Sequence, residues 1–188
     1  MSPTLNRSIF IIGFMASGKS TIGKLLASRL GIPFIDTDEV IERKTGMPIR
    51  EIFSTRGEIY FRRIESGLLR EIAQNCSRCA RVIAAGGGMP CSKENLGVMR
   101  ECGTIVYLET SIDDIISRIK NSSERPVFRR VEESGKLKDG IEELLRKREQ
   151  FYRQAHIIVT NPNGQAPEET VTKIIQALSE NRSSLKGT

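Results

Sequence analysis

An α/β fold built on a doubly wound parallel sheet is what this sequence predicts, and three observations predict it. Short apolar runs that suit buried strands alternate with helix-period segments along the chain. A glycine-rich loop joins the first such run to the first helical segment. Finally, no internal repeat or linker interrupts the 188 residues, so residues 1–188 form one expected domain.

The elements follow in order. Residues 8–14 hold Ile9, Phe10, Ile11 and Ile12 without a polar break, the mark of a strand covered on both faces. Ile22, Leu25, Leu26 and Leu30 recur at helical spacing over residues 19–30, and Gly31 stops that helix. Residues 33–36 predict a second strand, followed by helices over 38–44, 49–54 and 58–74. A third strand over 81–85 runs into Gly86, Gly87 and Gly88. A fourth covers 104–108, with a helix over 112–120 behind it. A helix over 139–154, a fifth strand over 156–160 and a helix over 167–179 complete the pattern, and residues 181–188 are expected to fray. Residues 121–135 are polar, charged and non-periodic, too long for an ordinary connection, and predict a mobile lid over a site.

Composition narrows the partners. The net charge of +6, from 29 basic and 23 acidic residues, suits a small anionic ligand or a solvated surface as well as nucleic acid. There is no Trp and no basic stripe interleaved with aromatics, so no nucleic-acid partner is expected. No run of 18 apolar residues is present, and residues 1–7 are too short and polar for a signal peptide. A cytoplasmic protein without membrane contact is the expectation, and a monomer, since no heptad run stands out. Cys76 and Cys79 form a C-x-x-C, but no second pair has metal-ligand spacing and the single His156 is remote. Unpaired thiols are expected.

Residues 13–20, Gly-Phe-Met-Ala-Ser-Gly-Lys-Ser, match G-x-x-x-x-G-K-[ST] at every fixed position. Glycines at 13 and 18 allow backbone angles that turn N–H groups inward on phosphates. The binding segment therefore includes Ala16, Ser17, Gly18, Lys19, Ser20 and Thr21, at the positive end of the following helix. Lys19 reaches the β- and γ-phosphates, and the Ser20 hydroxyl ligates Mg²⁺. A strand before the loop and a helix after it are the context this motif requires. The ligand is thus a nucleoside triphosphate such as ATP with Mg²⁺.

Asp36-Thr37-Asp38 falls at the carboxyl end of the second strand, the edge where open α/β sheets bind ligands. Asp36 can hold the Mg²⁺ hydration shell through water. Asp38 can accept a proton from a substrate hydroxyl, or it can cap the helix that follows; its position alone leaves both open.

Taken in order, the phosphate loop, this D-x-D, Gly57-Glu58-Ile59-Tyr60-Phe61-Arg62, Gly86-Gly87-Gly88, Arg125-Pro126 and Arg148-Glu149-Gln150-Phe151-Tyr152 resemble the shikimate kinases over nearly the whole chain. Each motif after the first is weak, but their order and spacing together are specific. The resemblance implies a doubly wound five-stranded sheet of the P-loop, nucleoside monophosphate kinase-like type, with a mobile lid. It implies transfer of the γ-phosphoryl of ATP to the 3-hydroxyl of shikimate, a step toward chorismate and the aromatic amino acids. Residue by residue, it assigns Asp38 to the shikimate hydroxyls, Arg62 and Arg148 to the carboxylate, and Gly87 to a backbone contact. Arg125 becomes the lid arginine over the ATP phosphates, catalytic beside Lys19 and Asp38, and Arg118 faces adenine. The lid departs from the family's usual R-P-L-L in Val127-Phe128, a change that bears on lid packing. Three rivals stay in view: a gluconate kinase of the same fold, a nucleotide-binding regulator without catalysis, and a nucleic-acid-binding module.

Overall fold

Residues 8–12 form the central strand of a parallel sheet, and their side chains are buried without exception. In the computed structural model, which describes residues 7–76, 78–120 and 136–184, the strands are β1 (Ser8–Ile12), β2 (Phe34–Asp36), β3 (Val82–Ala84), β4 (Gly103–Glu109) and β5 (Ile157–Thr160). Their order is β2-β3-β1-β4-β5, and every pair is parallel. Ile9 lies opposite Val82 on one side and Thr104 on the other.

The apolar run of β1 serves two cores at once. Ile9 and Ile11 point to one face, packed with Ile22, Leu26, Val171 and Ile174. Phe10 and Ile12 point to the other, packed with Phe61, Leu69, Met99, Ile115 and Tyr152. Burying one such side chain contributes about 1.5–3 kcal/mol, so a polar residue anywhere in this strand would be costly. The first core is covered by α1 (Lys19–Leu30) and α7 (Pro167–Ser184). The second is covered by α3 (Ile49–Gln74), α4 (Lys93–Cys102), α5 (Ile112–Lys120) and α6 (Lys136–Tyr152). The chain leaves β1 toward one face and β3, through a short turn at Met89–Cys91, toward the other. The carboxyl ends of β1 and β3 therefore flank a switch point, where such sheets open a ligand crevice.

Several predicted bounds shift for local reasons. Helix α2 (Thr37–Thr45) begins at Thr37 because Asp36 caps it, accepting from the amides of Asp38 (3.0 Å) and Glu39 (3.4 Å). The cap is thus Asp36 and not Asp38. The two helices predicted over 49–54 and 58–74 adjoin within α3 and are kinked apart at Gly57, which holds φ 79° and ψ 170°. Helix α4 was not predicted; Ser92 starts it by accepting from the Asn95 amide at 3.4 Å, and it buries Leu96, Met99 and Cys102. The last helix continues to Ser184, so residues 181–184 of the expected tail are helical. The predicted lid over 121–135 lies outside the described residues, as do residues 185–188.

Candidate active site

The phosphate loop leaves β1 at Gly13, whose φ is 151°, and enters α1 through Gly18, whose φ is 93°. Ala16 between them also sits in the left-handed region, at φ 60°. That geometry costs a non-glycine residue about 1–2 kcal/mol; the loop holds it because the surroundings fix it from several sides. The Ser17 carbonyl accepts from Asn161 Nδ2 at 2.7 Å, and the Ser17 amide donates to the Phe14 carbonyl at 3.2 Å. A Cβ on Gly18 would fall 2.9 Å from that same Asn161 amide. Lys19 Nζ folds back to donate to the Phe14 carbonyl at 2.9 Å, across the mouth of the loop.

Ser20 and Asp36 meet as a pair. The hydroxyl donates to Asp36 Oδ2 at 2.5 Å while Asp36 Oδ1 caps α2. One carboxylate thereby ties the loop's helix to the edge of β2. Both side chains line a cavity of about 480 Å³ that also includes Gly18, Lys19, Thr21, Asp38 and Gly87. Arg118 lines its far end, held by three acceptors: Asn163 Oδ1 (2.7 Å), the Asn161 carbonyl (2.7 Å) and the Ala16 carbonyl (3.3 Å).

The three-glycine turn after β3 is the second half of the site. Thr37 Oγ1 accepts from the Gly86 amide at 2.8 Å, which locks this turn to the start of α2. A Cβ on Gly86 would lie 2.6 Å from Asp38 Oδ1 and 2.9 Å from Glu65 Oε1. A Cβ on Gly88 would lie 2.6 Å from Arg62 Cζ. Glycine is thus required here by close approach: the space a methyl group would take is filled by charged side chains. Gly87 is 3.4 Å, by the same measure, from an Arg148 amino group and from the Gly13 carbonyl, so it stands between Arg148 and the phosphate loop. Its own carbonyl accepts from the buried Tyr152 hydroxyl at 2.5 Å.

Helix α3 supplies Arg62 with two carboxylates from its own turns. Nε and one amino group donate to Glu58 Oε1 at 3.2 and 2.9 Å, and the other amino group to Glu65 Oε2 at 2.6 Å. Burial works against the charge on Arg62, but Glu65 and Glu58 outweigh it and raise its pKa above the ordinary value. A guanidinium has five N–H donors, so this pairing leaves donors on both terminal nitrogens for a ligand. Glu65 is 1% exposed, and its Oε1 has no hydrogen-bond partner among the described residues. Burial pushes its carboxyl above the usual range, the Arg62 charge opposes that rise, and nearby Asp38 adds to it.

Four of the sequence-predicted residues therefore meet, from four separate elements, at one turn. Asp38, Arg62, Gly87 and Arg148 surround it, while Lys19, Ser20, Thr21, Asp36 and Arg118 line the adjoining cavity. Arg62 and Arg148 are not among the residues that line that cavity; they lie against Gly88 and Gly87 of the turn. Arg125 lies outside the described residues. Sequence reasoning gave no role to Glu65 or Asn161, and named Tyr152 only as part of the Arg148–Tyr152 motif. Glu65 was findable: it falls four residues after Phe61 and three before Leu68, inside the buried stripe of α3. A carboxylate in that stripe, three residues from an arginine, demands a partner.

A profile of the shikimate kinase family matches residues 15–179. A shikimate kinase of Persephonella marina is 37% identical over 169 residues, which covers 90% of this chain and 97% of that one. The chain belongs to the shikimate kinase family. It is an ATP-dependent kinase of that family. The solved structure of a shikimate kinase from Acinetobacter baumannii in complex with shikimate superposes with a TM-score of 0.83 at 34% identity, covering 95% of each chain. A gluconokinase from Sinorhizobium meliloti matches with a TM-score of 0.60 at 18% identity, a likeness of fold alone. As a kinase, the chain is not the regulator without catalysis that the sequence left in view. No helix among the described residues is long and apolar enough to cross a membrane.

Proposed function

We propose that this chain transfers the γ-phosphoryl group of ATP to the 3-hydroxyl of shikimate, through the residues that meet at the Gly86–Gly88 turn. The observation that supports the assignment is that single convergence: Asp38, the Arg62–Glu65 pair and Arg148 around a glycine turn, beside a phosphate loop. A hydroxylated carboxylic acid is the ligand that such a set complements. Arg62 and Arg148 take the carboxylate, Arg62 through the N–H groups that Glu58 and Glu65 leave over. Gly87 offers backbone to the ring. Asp38 faces the hydroxyls and accepts the proton of the attacking one.

On the donor side, the amides from Ala16 to Thr21 cradle the phosphates, and Lys19 exchanges the Phe14 carbonyl for phosphate oxygens. Arg118 packs against adenine, and Arg125 closes over the phosphates from the lid. Ser20 Oγ and Asp36 offer hard oxygen donors side by side, a set that suits Mg²⁺ held partly by nucleotide and water. Among the described residues, no group of three His, Cys, Asp or Glu side chains could hold a metal by itself, which fits a shared site. Mg²⁺, when bound, neutralises charge on the β- and γ-phosphates. In the transfer, the shikimate oxygen forms a bond to the γ-phosphorus as the bond to the ADP oxygen breaks, and the hydroxyl proton passes to Asp38. Because the transition state is loose, positioning and charge carry most of the acceleration.

ADP release measured with and without shikimate tests the proposal. Release that rises at least tenfold with shikimate, and not with gluconate, is expected. Equal release with either acceptor would overturn it.

A further inference from the structure

A file of hydrogen bonds runs from the surface of α7 to the phosphate loop, and its direction is fixed at both ends. The exposed Lys173 Nζ donates to Gln165 Oε1 at 2.7 Å. Gln165 Nε2 donates to the Thr170 hydroxyl, which in turn donates to Asn161 Oδ1 at 2.9 Å. Asn161 Nδ2 then donates to the Ser17 carbonyl at 2.7 Å. An ammonium can only donate, and a carbonyl oxygen can only accept. Gln165 must therefore turn its oxygen to Lys173, and every later member is left with one orientation. Thr170 and Asn161 are both buried, so water does not offer them other partners. A carboxamide reversed at Asn161 would set oxygen against oxygen at Ser17 and leave a buried acceptor unmatched.

The last link bears on the groups that would meet phosphate. The peptide between Ser17 and Gly18 is trans and planar, so its N–H points opposite to its C=O. With the carbonyl held by Asn161, the Gly18 amide is turned away from Asn161. We propose that Asn161 is a positioning residue for the nucleotide: it aims the Gly18 amide for a phosphate oxygen, and the file through Thr170, Gln165 and Lys173 aims Asn161. The proposal rests on the reading of residues 13–21 as the phosphate cradle. It adds residues from the far end of the chain to the machinery of that loop.

Two substitutions separate this action from a direct contact. Asn161 and Gln165 line the cavity at the phosphate loop, but Thr170 is not among the lining residues. An effect of the Thr170 hydroxyl on nucleotide affinity must therefore pass through its neighbours. Thr170→Val keeps the shape of the side chain and removes the donor that orients Asn161. Asn161→Asp keeps the acceptor for Thr170 but faces the Ser17 carbonyl with a carboxylate oxygen, which drives the peptide to turn. Neither change removes the Asn161 main-chain carbonyl, which accepts from Arg118 at 2.7 Å.

The test is calorimetric binding of ADP with Mg²⁺, and separately of shikimate, to the intact protein and its variants. Asn161→Asp should weaken ADP binding about tenfold or more and Thr170→Val about three- to tenfold, with shikimate binding within about twofold in both. If Asn161→Asp does not fold, Thr170→Val decides alone. ADP affinity unchanged in Thr170→Val overturns the proposal, because an effect confined to Asn161 would then be a direct contact. Equal weakening of ADP and shikimate also overturns it, as a general loss of structure. Lys19→Ala tells the two readings apart. ADP affinity that survives this change overturns the phosphate-cradle reading and the inference with it. Affinity that Lys19→Ala abolishes but Thr170→Val leaves intact overturns the inference alone.

Discussion

The two halves of the active site are built by opposite strategies. The phosphate side is one contiguous stretch, residues 13–21, and its working groups are mostly backbone amides aimed by unusual φ angles at Gly13, Ala16 and Gly18. The acceptor side is assembled from α2, α3, the glycine turn and α6, and its working groups are charged side chains held by other side chains. Arg62 leans on Glu58 and Glu65, and Tyr152 fixes the Gly87 carbonyl. The first strategy gives a rigid cradle for a ligand feature that many enzymes share. The second places charges of both signs within contact of one turn, and that arrangement is what can select a particular acid.

The comparison predicts that lesions on one side should spare the other. Asp38→Asn is the most severe: turnover should fall by about 100-fold or more, the range of a lost proton acceptor. ATP binding, measured by nucleotide fluorescence or calorimetry, should stay within a few-fold. Turnover that survives within a few-fold would remove Asp38 from the role of base. Gly88→Ala comes next. Its new Cβ would collide with the Arg62 guanidinium, while the φ of −94° at this position suits alanine well. The loss should therefore appear as displaced charge, with KM for shikimate up on the order of tenfold and KM for ATP unchanged. That is roughly 1.4 kcal/mol, and steady-state kinetics will read it.

Two smaller effects probe the scaffold on which both halves rest. His156 Nδ1 accepts from the Ile105 amide at 2.9 Å, which requires the neutral ring. Burial, with Arg100 and Arg7 nearby, lowers its pKa below 6.5. The unfolded chain therefore binds a proton more readily than the folded one as pH falls through 6.5, and stability is lost in that direction. Only the Nδ1 side of the ring is sheltered and the rest of the residue is exposed, so solvent screening limits the loss to on the order of 1 °C in Tm. Melting curves between pH 5.5 and 7.5 should show this slope in the native chain, and it should be absent from His156→Gln. Ala16→Gly should raise stability by about 0.5–1 kcal/mol, the relief of a left-handed alanine less the added freedom of glycine in the unfolded state. Denaturant titration gives the value; a decrease would mean that Ala16 contributes packing beyond its backbone.

How much of this was legible in the sequence follows the same division. The phosphate side was readable because its residues are consecutive and its geometry demands specific types: glycine at 13 and 18, lysine at 19, a hydroxyl at 20. The strands were readable from apolar runs, and Ile9–Ile12 is buried as its composition requires. The arginines of the acceptor side were named only through a resemblance, because Arg62 and Arg148 look locally like any solvated helix arginine. What the sequence concealed was pairwise. That Asp36 and not Asp38 caps α2 shows only in which carboxylate accepts the amides of Asp38 and Glu39. Glu65 matters because Gly86 leaves room for it, a fact distributed over 21 residues of chain. Helix α4 escaped notice because only three of its side chains, Leu96, Met99 and Cys102, mark an apolar face over a single short span.

The carboxylate assignment is tested most directly by Arg62→Ala, assayed for both substrates. The residue lies against Gly88 and is not among the residues lining the cavity at the phosphate loop, with donors left over on both terminal nitrogens. Loss of a charge-assisted hydrogen-bond pair of this kind costs about 2–3 kcal/mol. KM for shikimate should rise roughly 30–150-fold while KM for ATP stays within about threefold. A rise of equal size for both substrates would contradict the division of the site into a backbone cradle for phosphate and a side-chain cradle for acid.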